Sequence, residues 1–405
     1  MSVDVSIIIP SYNKYPLNLF TLYSLERQTF SSSRIEVIFI DDGSNDQTYK
    51  LKVTYKPPYS FQYVRLNQNQ GRAKARNIGI KMARGNILIF LDAEIMVHPN
   101  FIKHHFEMHQ KEDNLVFSGV LGKFYKTYTV LFPDFSVEAF KEFHYLVKLQ
   151  PMFMKKWKIG SQNKFSEKIN RIKLKNKPIS LFQRKELNQR LYRRLSFPFP
   201  FLGNLLFENY GENLEGFYFK WIAFLTGNVS VPKSLINLTG AFDEDFKGYG
   251  FEDWELGYRL HEKGAHFKID TDIPCYHQEH PVVELDRDKE HRRNFLLFYQ
   301  KHPSADLGIT ALNEMYQFSF IEINNIFINY VDLYKLYPDQ FLLFKNAFKQ
   351  LINQAVQQYA DGREREGLAQ ITNFVDEALK KDLENEIERL KELNRFNHLI
   401  NLISG

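Results

Sequence analysis

Two carboxylates stand one residue apart in Asp92-Ala93-Glu94, at the end of an apolar run. In an extended chain, residues i and i+2 point the same way. Paired carboxylates on one side repel unless a cation or proton intervenes, and a hard divalent ion with oxygen ligands is the natural partner. A solvated loop pair is the other reading of so loose a pattern. His277 and His280, in Tyr276-His277-Gln278-Glu279-His280-Pro281, could complete such a site. Mixed nitrogen and oxygen ligands lean toward Mn²⁺ over Mg²⁺, although a lone histidine is more often an ordinary surface residue.

Three other clusters could do chemistry. Asp41-Asp42-Gly43-Ser44 follows a β-branched run. Acidic side chains at a strand's carboxyl end can accept hydrogen bonds from a base or ribose; the same residues also make a turn with a helix cap. Gly71-Arg72-Ala73-Lys74-Ala75-Arg76-Asn77 places cations at a predicted helix start. Backbone N–H groups and the helix dipole there favour an anion such as a diphosphate, and a solvated helix face is the alternative. Gly248-Tyr249-Gly250-Phe251-Glu252-Asp253-Trp254-Glu255 puts acids at a helix start after a flexible aromatic turn. Asp253 there could take a proton from an incoming hydroxyl, though acids also favour first turns for dipole reasons.

The surrounding pattern supplies elements to hold these groups. Ser6 to Pro10, Ile35 to Ile40 and Phe61 to Leu66 read as short apolar strands, and Asn86 to Leu91 as a buried fourth. Pro16 to Gln28 and Gly71 to Arg84 read as helices between them. Such alternation predicts a parallel sheet with helices on both faces, and ligands of such sheets bind at the strands' carboxyl ends. A later block, about 221–280, is strand-like and Gly-punctuated, with a helix over Asp253 to Lys263.

The chain has 405 residues, enough for two or three compact units. A net charge of +5 is small for this length and predicts no nucleic-acid partner. The single cysteine, Cys275, excludes an internal disulfide and fits a reducing compartment. The first residues lack the basic region of a signal peptide, and no run reaches the ~18 apolar residues of a membrane span. The expectation is a cytoplasmic protein, touching the membrane at most from its inner face.

Domain boundaries are expected at 1–300 for the catalytic unit and 301–405 for a helical C-terminal region that binds acceptor or forms a homo-oligomer. A basic, aromatic insertion at about 125–220 interrupts the first. Between 148 and 195 it carries fifteen Lys and Arg against Glu167 and Glu186. With Phe197-Pro198-Phe199-Pro200-Phe201-Leu202 it reads either as a membrane-surface or lipid-linked acceptor contact, or as a solvated basic lobe that packs its aromatics inward.

In order and spacing, Ser6-Ile7-Ile8-Ile9-Pro10-Ser11-Tyr12-Asn13, the Asp41-Asp42-Gly43-Ser44 turn, Asn69 to Asn77 and Phe90-Leu91-Asp92-Ala93-Glu94 resemble the family-2 glycosyltransferases. Leu225-Thr226-Gly227-Asn228, Gly240 to Phe246 and Gly250-Phe251-Glu252-Asp253 resemble the galactosyltransferase-type C-terminal half, and Tyr276 to Glu279 the bacterial chondroitin polymerases. The resemblance covers about 1–120 and 221–300. It implies an α/β GT-A fold with a Rossmann-like mixed sheet, a UDP-sugar donor and inversion at the anomeric carbon. It puts Pro10, Ser11, Tyr12, Asn13, Asp41, Asp42, Ser44, Gly71, Arg72, Arg76, Asp92, Ala93, Gly227, Asn228 and Tyr249 around the nucleotide sugar. Asp92, Glu94 and His277 become the Mn²⁺ or Mg²⁺ ligands, Asp253 the base, and Glu252 its neighbour on the acceptor.

One departure stands out: the usual Asp-x-Asp is Asp-Ala-Glu here. Asp92 and His277 are therefore the expected direct ligands and Glu94 the atypical one. The acceptor reads as a glycan, a cell-wall or capsular polymer or a lipid-linked molecule, with a peptide acceptor or a non-catalytic sugar-nucleotide-binding scaffold as alternatives. A dinucleotide-dependent oxidoreductase would need G-x-G-x-x-G after the first strand, where Pro10-Ser11-Tyr12-Asn13-Lys14 stands instead.

Overall fold

A computed structural model of the chain describes residues 2–157, 162–199, 202–282, 286–363 and 370–404. The chain divides into two compact units. The first holds Met1–Leu214, Trp221–Glu244 and Asp253–Leu285; the second holds Glu215–Lys220, Asp245–Glu252 and Asp286–Gly405.

The first unit is built on a seven-stranded sheet. Its strands are β1 (Val5–Ser11), β2 (Ile35–Asp41), β3 (Ser60–Arg65), β4 (Ile87–Leu91), β6 (Leu115–Ser118), β11 (Asn228–Pro232) and β12 (His266–Ile269), in the order β12-β6-β11-β4-β1-β2-β3. The parallel expectation holds for β1 to β4, with Ile7 paired to Val37 on one side and Ile89 on the other. Strand β11 inserts antiparallel between β4 and β6, which makes the whole sheet mixed. Near-continuous Ile and Val runs in β1 and β2 are buried along their length, as strands covered on both faces require. The helix Arg72–Met82 lies directly on β1: a Cβ on Gly79 would stand 2.4 Å from the Ile8 side chain. Glycine permits that approach and brings the helix start to the sheet's carboxyl edge.

A second sheet has the order β10-β7-β13-β5, from β5 (Ile95–Val97), β7 (Phe124–Thr127), β10 (Ser196–Pro198) and β13 (Cys275–Gln278). Strand β13 runs antiparallel to β5, with His277 opposite Ile95, and parallel to β7. Gln278 is fully buried and fixes this register. Its amide donates to the Leu17 carbonyl at 3.0 Å and the Thr21 hydroxyl at 3.2 Å, and its carbonyl accepts from Thr129 at 2.7 Å.

The basic segment 125–214 belongs to this first unit. It adds the small β8 (Val130–Leu131) and β9 (Ile179–Ser180) pair and several helices. Most of its aromatics turn inward: Tyr128, Phe143, Phe153, Phe165, Phe182 and Tyr192 form a core with Phe20, Met96 and Tyr276. Phe197 packs on the same core, while Pro200 and Phe201 lie outside the described residues.

The second unit is helical, with Arg287–Lys301, Ala305–Tyr316, Phe320–Leu336, Leu342–Ala360, Lys380–Glu392 and Asn397–Ser404 as its main helices. A capping box starts the third: Ser319 Oγ accepts the Glu322 N–H and Glu322 Oε2 accepts the Ser319 N–H. Phe344, Phe348, Leu351 and Ala355 share one buried face, and Leu383 and Leu390 another. Leu379 is exposed, in a short turn before its helix. Among the described residues, no helix is long and apolar enough to cross a membrane.

Candidate active site

The carboxyl ends of β1, β2 and β4 converge on one edge of the main sheet. Asp42 follows β2 and is buried, its Oδ1 accepting the Gln70 N–H at 2.8 Å and its Oδ2 the Gly71 N–H at 3.0 Å. Burial pushes its carboxyl up from the ordinary 3.8, against those two bonds. Gly71, at φ +90°, is the turn into the helix Arg72–Met82, so Asp42 sets where that cationic helix starts. Asp41 works inside the turn instead: it is buried and accepts the Ser44 N–H at 2.9 Å and the Tyr63 hydroxyl.

The loop after β1 is pinned to the same turn. Ser44 Oγ accepts the Asn13 N–H at 3.0 Å, Asn13 Oδ1 accepts the Asn45 N–H at 2.7 Å, and Asp46 accepts the Tyr15 N–H at 2.7 Å. Ser11 is buried against Asn18. Pro10, the residue before the last of β1, is half-buried, and Tyr12 projects with 43% of its surface exposed. This exposed ring beside buried polar anchors can pack on a planar ligand. Arg72 is exposed on the same helix start.

Arg76 is buried, and its guanidinium donates to Asp92 Oδ1 at 3.3 Å and lies 5.4 Å from the Phe242 ring. Beside it, the Asn77 side-chain amide donates to the Phe242 carbonyl, accepts the Phe242 N–H and donates to Glu244, each at 2.9 Å, docking the later block onto this helix. The Gly227 carbonyl accepts the Asp92 N–H at 3.1 Å, and Ala93 is buried with its carbonyl on the Thr21 hydroxyl. Asn228 begins β11 with its side chain buried against Gly119.

Glu94, two residues past Asp92, meets the histidines. Glu94, His277 and His280 each offer a ligand atom within 4.8 Å of the others. Glu94 Oε1 lies 3.3 Å from His280 Nε2 and 2.7 Å from the Lys14 ammonium. Burial opposes its charge, but the Lys14 ammonium, joined by His280 and His277 when those rings are protonated, outweighs that and holds its carboxyl well below the usual range. Asp92, expected to be a direct ligand, pairs with Arg76, and Glu94 is the carboxylate among the imidazoles.

The outer contacts suit metal ligation. His277 Nδ1 faces Glu279 Oε1 at 3.2 Å, and Lys126 holds the other oxygen of Glu279 at 3.5 Å. His280 Nδ1 donates to the Pro281 carbonyl at 2.8 Å. With each Nδ1–H engaged, each Nε2 keeps its lone pair, the arrangement ligating histidines adopt. Two imidazole nitrogens and one carboxylate oxygen fit Mn²⁺ or a similar ion better than Mg²⁺.

The helix Glu252–Glu262 begins immediately after Phe251, at φ +68°. The division between units falls inside its first turn, with Glu252 in the second and Asp253 in the first. Asp253 is half-buried and Glu252 buried. Arg259 braces this helix: it pairs with Glu255 and donates to the Thr239 and Ala241 carbonyls at 2.7 and 2.8 Å. In the second unit, Tyr249 has the Arg287 guanidinium 3.8 Å from its ring centre and the His291 ring at 5.9 Å. Asn294 donates to the carbonyls of Lys247, Tyr249 and Gly250.

Lys14, Glu279, Asn77 and Arg259 were not legible as site residues. Glu279 had a usable signal, since it lies two residues past His277 in an extended stretch and shares its side. Lys14 adjoins the loop after β1, yet one lysine near many carries no pattern.

With this geometry in view, the class follows. Residues 6–170 match the model for Glycosyl transferase family 2. The glycosyltransferase YfnE of Bacillus subtilis (strain 168) is 33% identical over 281 residues, which cover 69% of this chain and 66% of that one. Chondroitin synthase of Escherichia coli is 27% identical over 302 residues, 74% of this chain and 38% of that one. The crystal structure of S. aureus TarS has a TM-score of 0.48 at 14% identity, covering 98% of this chain and 55% of that chain. The chain belongs to the family-2 glycosyl transferases, and the main sheet that carries the site is mixed, with helices beside it. It spans 66% of the first of these relatives and 38% of the second.

Proposed function

We propose that this chain is an inverting, metal-dependent glycosyltransferase. It moves a sugar from a UDP-sugar to a hydroxyl of a glycan, a cell-wall or capsular polymer, or a lipid-linked acceptor. The observation that carries this reading is the meeting of Glu94, His277 and His280 beside the Arg76–Asp92 pair and the Asp42-anchored helix start. A cation site, a guanidinium and a helix N-terminus at one sheet edge suit a nucleoside diphosphate. One relative is named for chondroitin synthesis, which supports a glycan acceptor.

In the reaction, the acceptor oxygen bonds to the anomeric carbon as the bond from that carbon to the diphosphate oxygen breaks. The acceptor proton passes to the Asp253 carboxylate. The helix N-terminus around Asp253 favours its ionised form, and Glu252 orients the acceptor. Arg76 and the helix starting at Arg72 stabilise the negative charge gathering on the leaving group. A divalent ion held by Glu94, His277 and His280, with Asp92 nearby, would add Lewis-acid neutralisation of that charge. Single displacement inverts the anomeric centre.

UDP release from a panel of UDP-sugars, with candidate acceptors, tests the reading. Asp253→Asn should abolish transfer and leave UDP binding nearly intact; transfer at a near-normal rate would refute the base assignment. Asp92→Ala should weaken Mn²⁺-dependent UDP binding. No release from any UDP-sugar would favour a non-catalytic binding role. The basic segment exposes Tyr145, Leu149 and Met152 close in sequence to Lys148 and Lys155, which supports peripheral contact with anionic lipid. We assign the helical second unit to acceptor binding or self-association.

A further inference from the structure

Lys14 makes contacts that no sequence motif assigns. Its ammonium donates to Glu94 Oε1 at 2.7 Å and to His280 Nε2 at 2.8 Å. These are two of the three groups that would ligate a divalent ion. The side chain is not a loose surface lysine, being 23% exposed. Its backbone is fastened on both sides: Asn13, at φ +53°, is bonded to Ser44 and Asn45, and Tyr15 to Asp46. The Lys14 carbonyl accepts the Asn18 N–H at 3.0 Å and so anchors the start of the next helix.

The ring tautomer fits the same picture. His280 Nδ1–H is spent on the Pro281 carbonyl, so Nε2 presents a lone pair, and the ammonium donates into it. A lone pair that accepts from an ammonium is the one a metal would take. A monovalent ammonium and a divalent ion cannot share these donors, because like charges at ~3 Å repel strongly.

We infer that Lys14 is a built-in competitor for the ion: the metal enters the Glu94–His277–His280 cluster only by displacing its ammonium. This rests on the metal site proposed above and adds a residue to it. The consequence is linkage. Without nucleotide the chain binds divalent ions weakly, and an incoming diphosphate offers the displaced ammonium a new anionic partner, so donor and ion favour each other's binding.

Mn²⁺ alone is the probe, with the unbound ion read from its electron paramagnetic resonance signal as the full chain is titrated. Lys14→Met and Lys14→Gln, both neutral, should each bind Mn²⁺ at least ~10-fold more tightly than the unaltered chain, about 1.4 kcal/mol. Lys14→Arg keeps the charge and should stay near the unaltered affinity. Adding Glu94→Ala to Lys14→Met should remove the gain, locating the ion at the cluster. If either folded neutral variant binds no more tightly than the unaltered chain, the competition is overturned while the metal site stands. If no variant binds Mn²⁺ even at millimolar concentration, the metal site falls and the inference with it.

Discussion

Glu314 offers a test of how burial sets charge in the helical unit. Its carboxyl accepts the Tyr359 hydroxyl at 3.1 Å, and Tyr359 also meets His291 Nδ1 at 2.6 Å. His291 in turn lies 4.4 Å, ring to ring, from Phe251. Burial pushes Glu314 up from 4.5 to about 7, only partly offset by the Tyr359 bond. His291, 3.8 Å away, is no counter-ion near neutrality, because burial pushes it down to about 4. A carboxyl raised in the folded state favours folding while protonated. Its contribution is therefore complete below pH 4.5 and is lost as pH rises through about 7. That gap corresponds to roughly 3 kcal/mol. Glu314→Gln keeps a hydrogen-bonding group of similar size but cannot ionise, so it should gain about 3 kcal/mol relative to the unaltered chain between pH 4.5 and pH 8. The loss from His291 as pH falls below 6.5 affects both proteins and cancels in the difference. All three tryptophans, Trp157, Trp221 and Trp254, lie in the first unit, so their fluorescence would miss this effect. Hydrogen exchange of the helix Leu342–Ala360, compared between the two proteins at each pH, reads it directly. A difference that stays constant within about 0.5 kcal/mol from pH 4.5 to 8 would refute the argument.

Glu279→Ala frees His277 Nδ1 and should weaken Mn²⁺ binding about 10–100-fold by calorimetry; an unchanged affinity would remove Glu279 from the site. Asn77→Ala breaks bonds to Phe242 and Glu244 and should cost about 2–4 kcal/mol in urea unfolding, with faster exchange over 241–245. A loss under about 0.5 kcal/mol would show that the docked segment holds without it. Anionic liposomes should co-sediment the chain at low salt and release it at high salt; no binding at low salt sinks the lipid contact.

Much of the candidate site at the edge of the main sheet was legible because its cues are local. The Ile- and Val-rich runs announce β1, β2 and β4, and Asp42 and Asp92 follow their ends. Gly71 marks the turn into the helix that carries Arg72 and Arg76. Each depends on residues within a turn or strand of one another. The aromatics of the basic segment were harder. Composition alone left membrane contact and inward packing balanced, and the fold buries most of them around Phe143 and Phe153.

By itself, the sequence determined the strand and helix series and the acidic residues at the strand ends. Only the tertiary structure decided which carboxylate meets the histidines. Strand β13 pairs with β5 across more than 170 residues of chain, and Gln278, locked to Leu17, Thr21 and Thr129, sets the register that carries His277 and His280 to Glu94. A slip of one residue would turn His277 to the opposite face. No local pattern encodes a register between such distant strands, nor the reach of Lys14 into the same cluster; both rest on contacts between segments far apart in the chain.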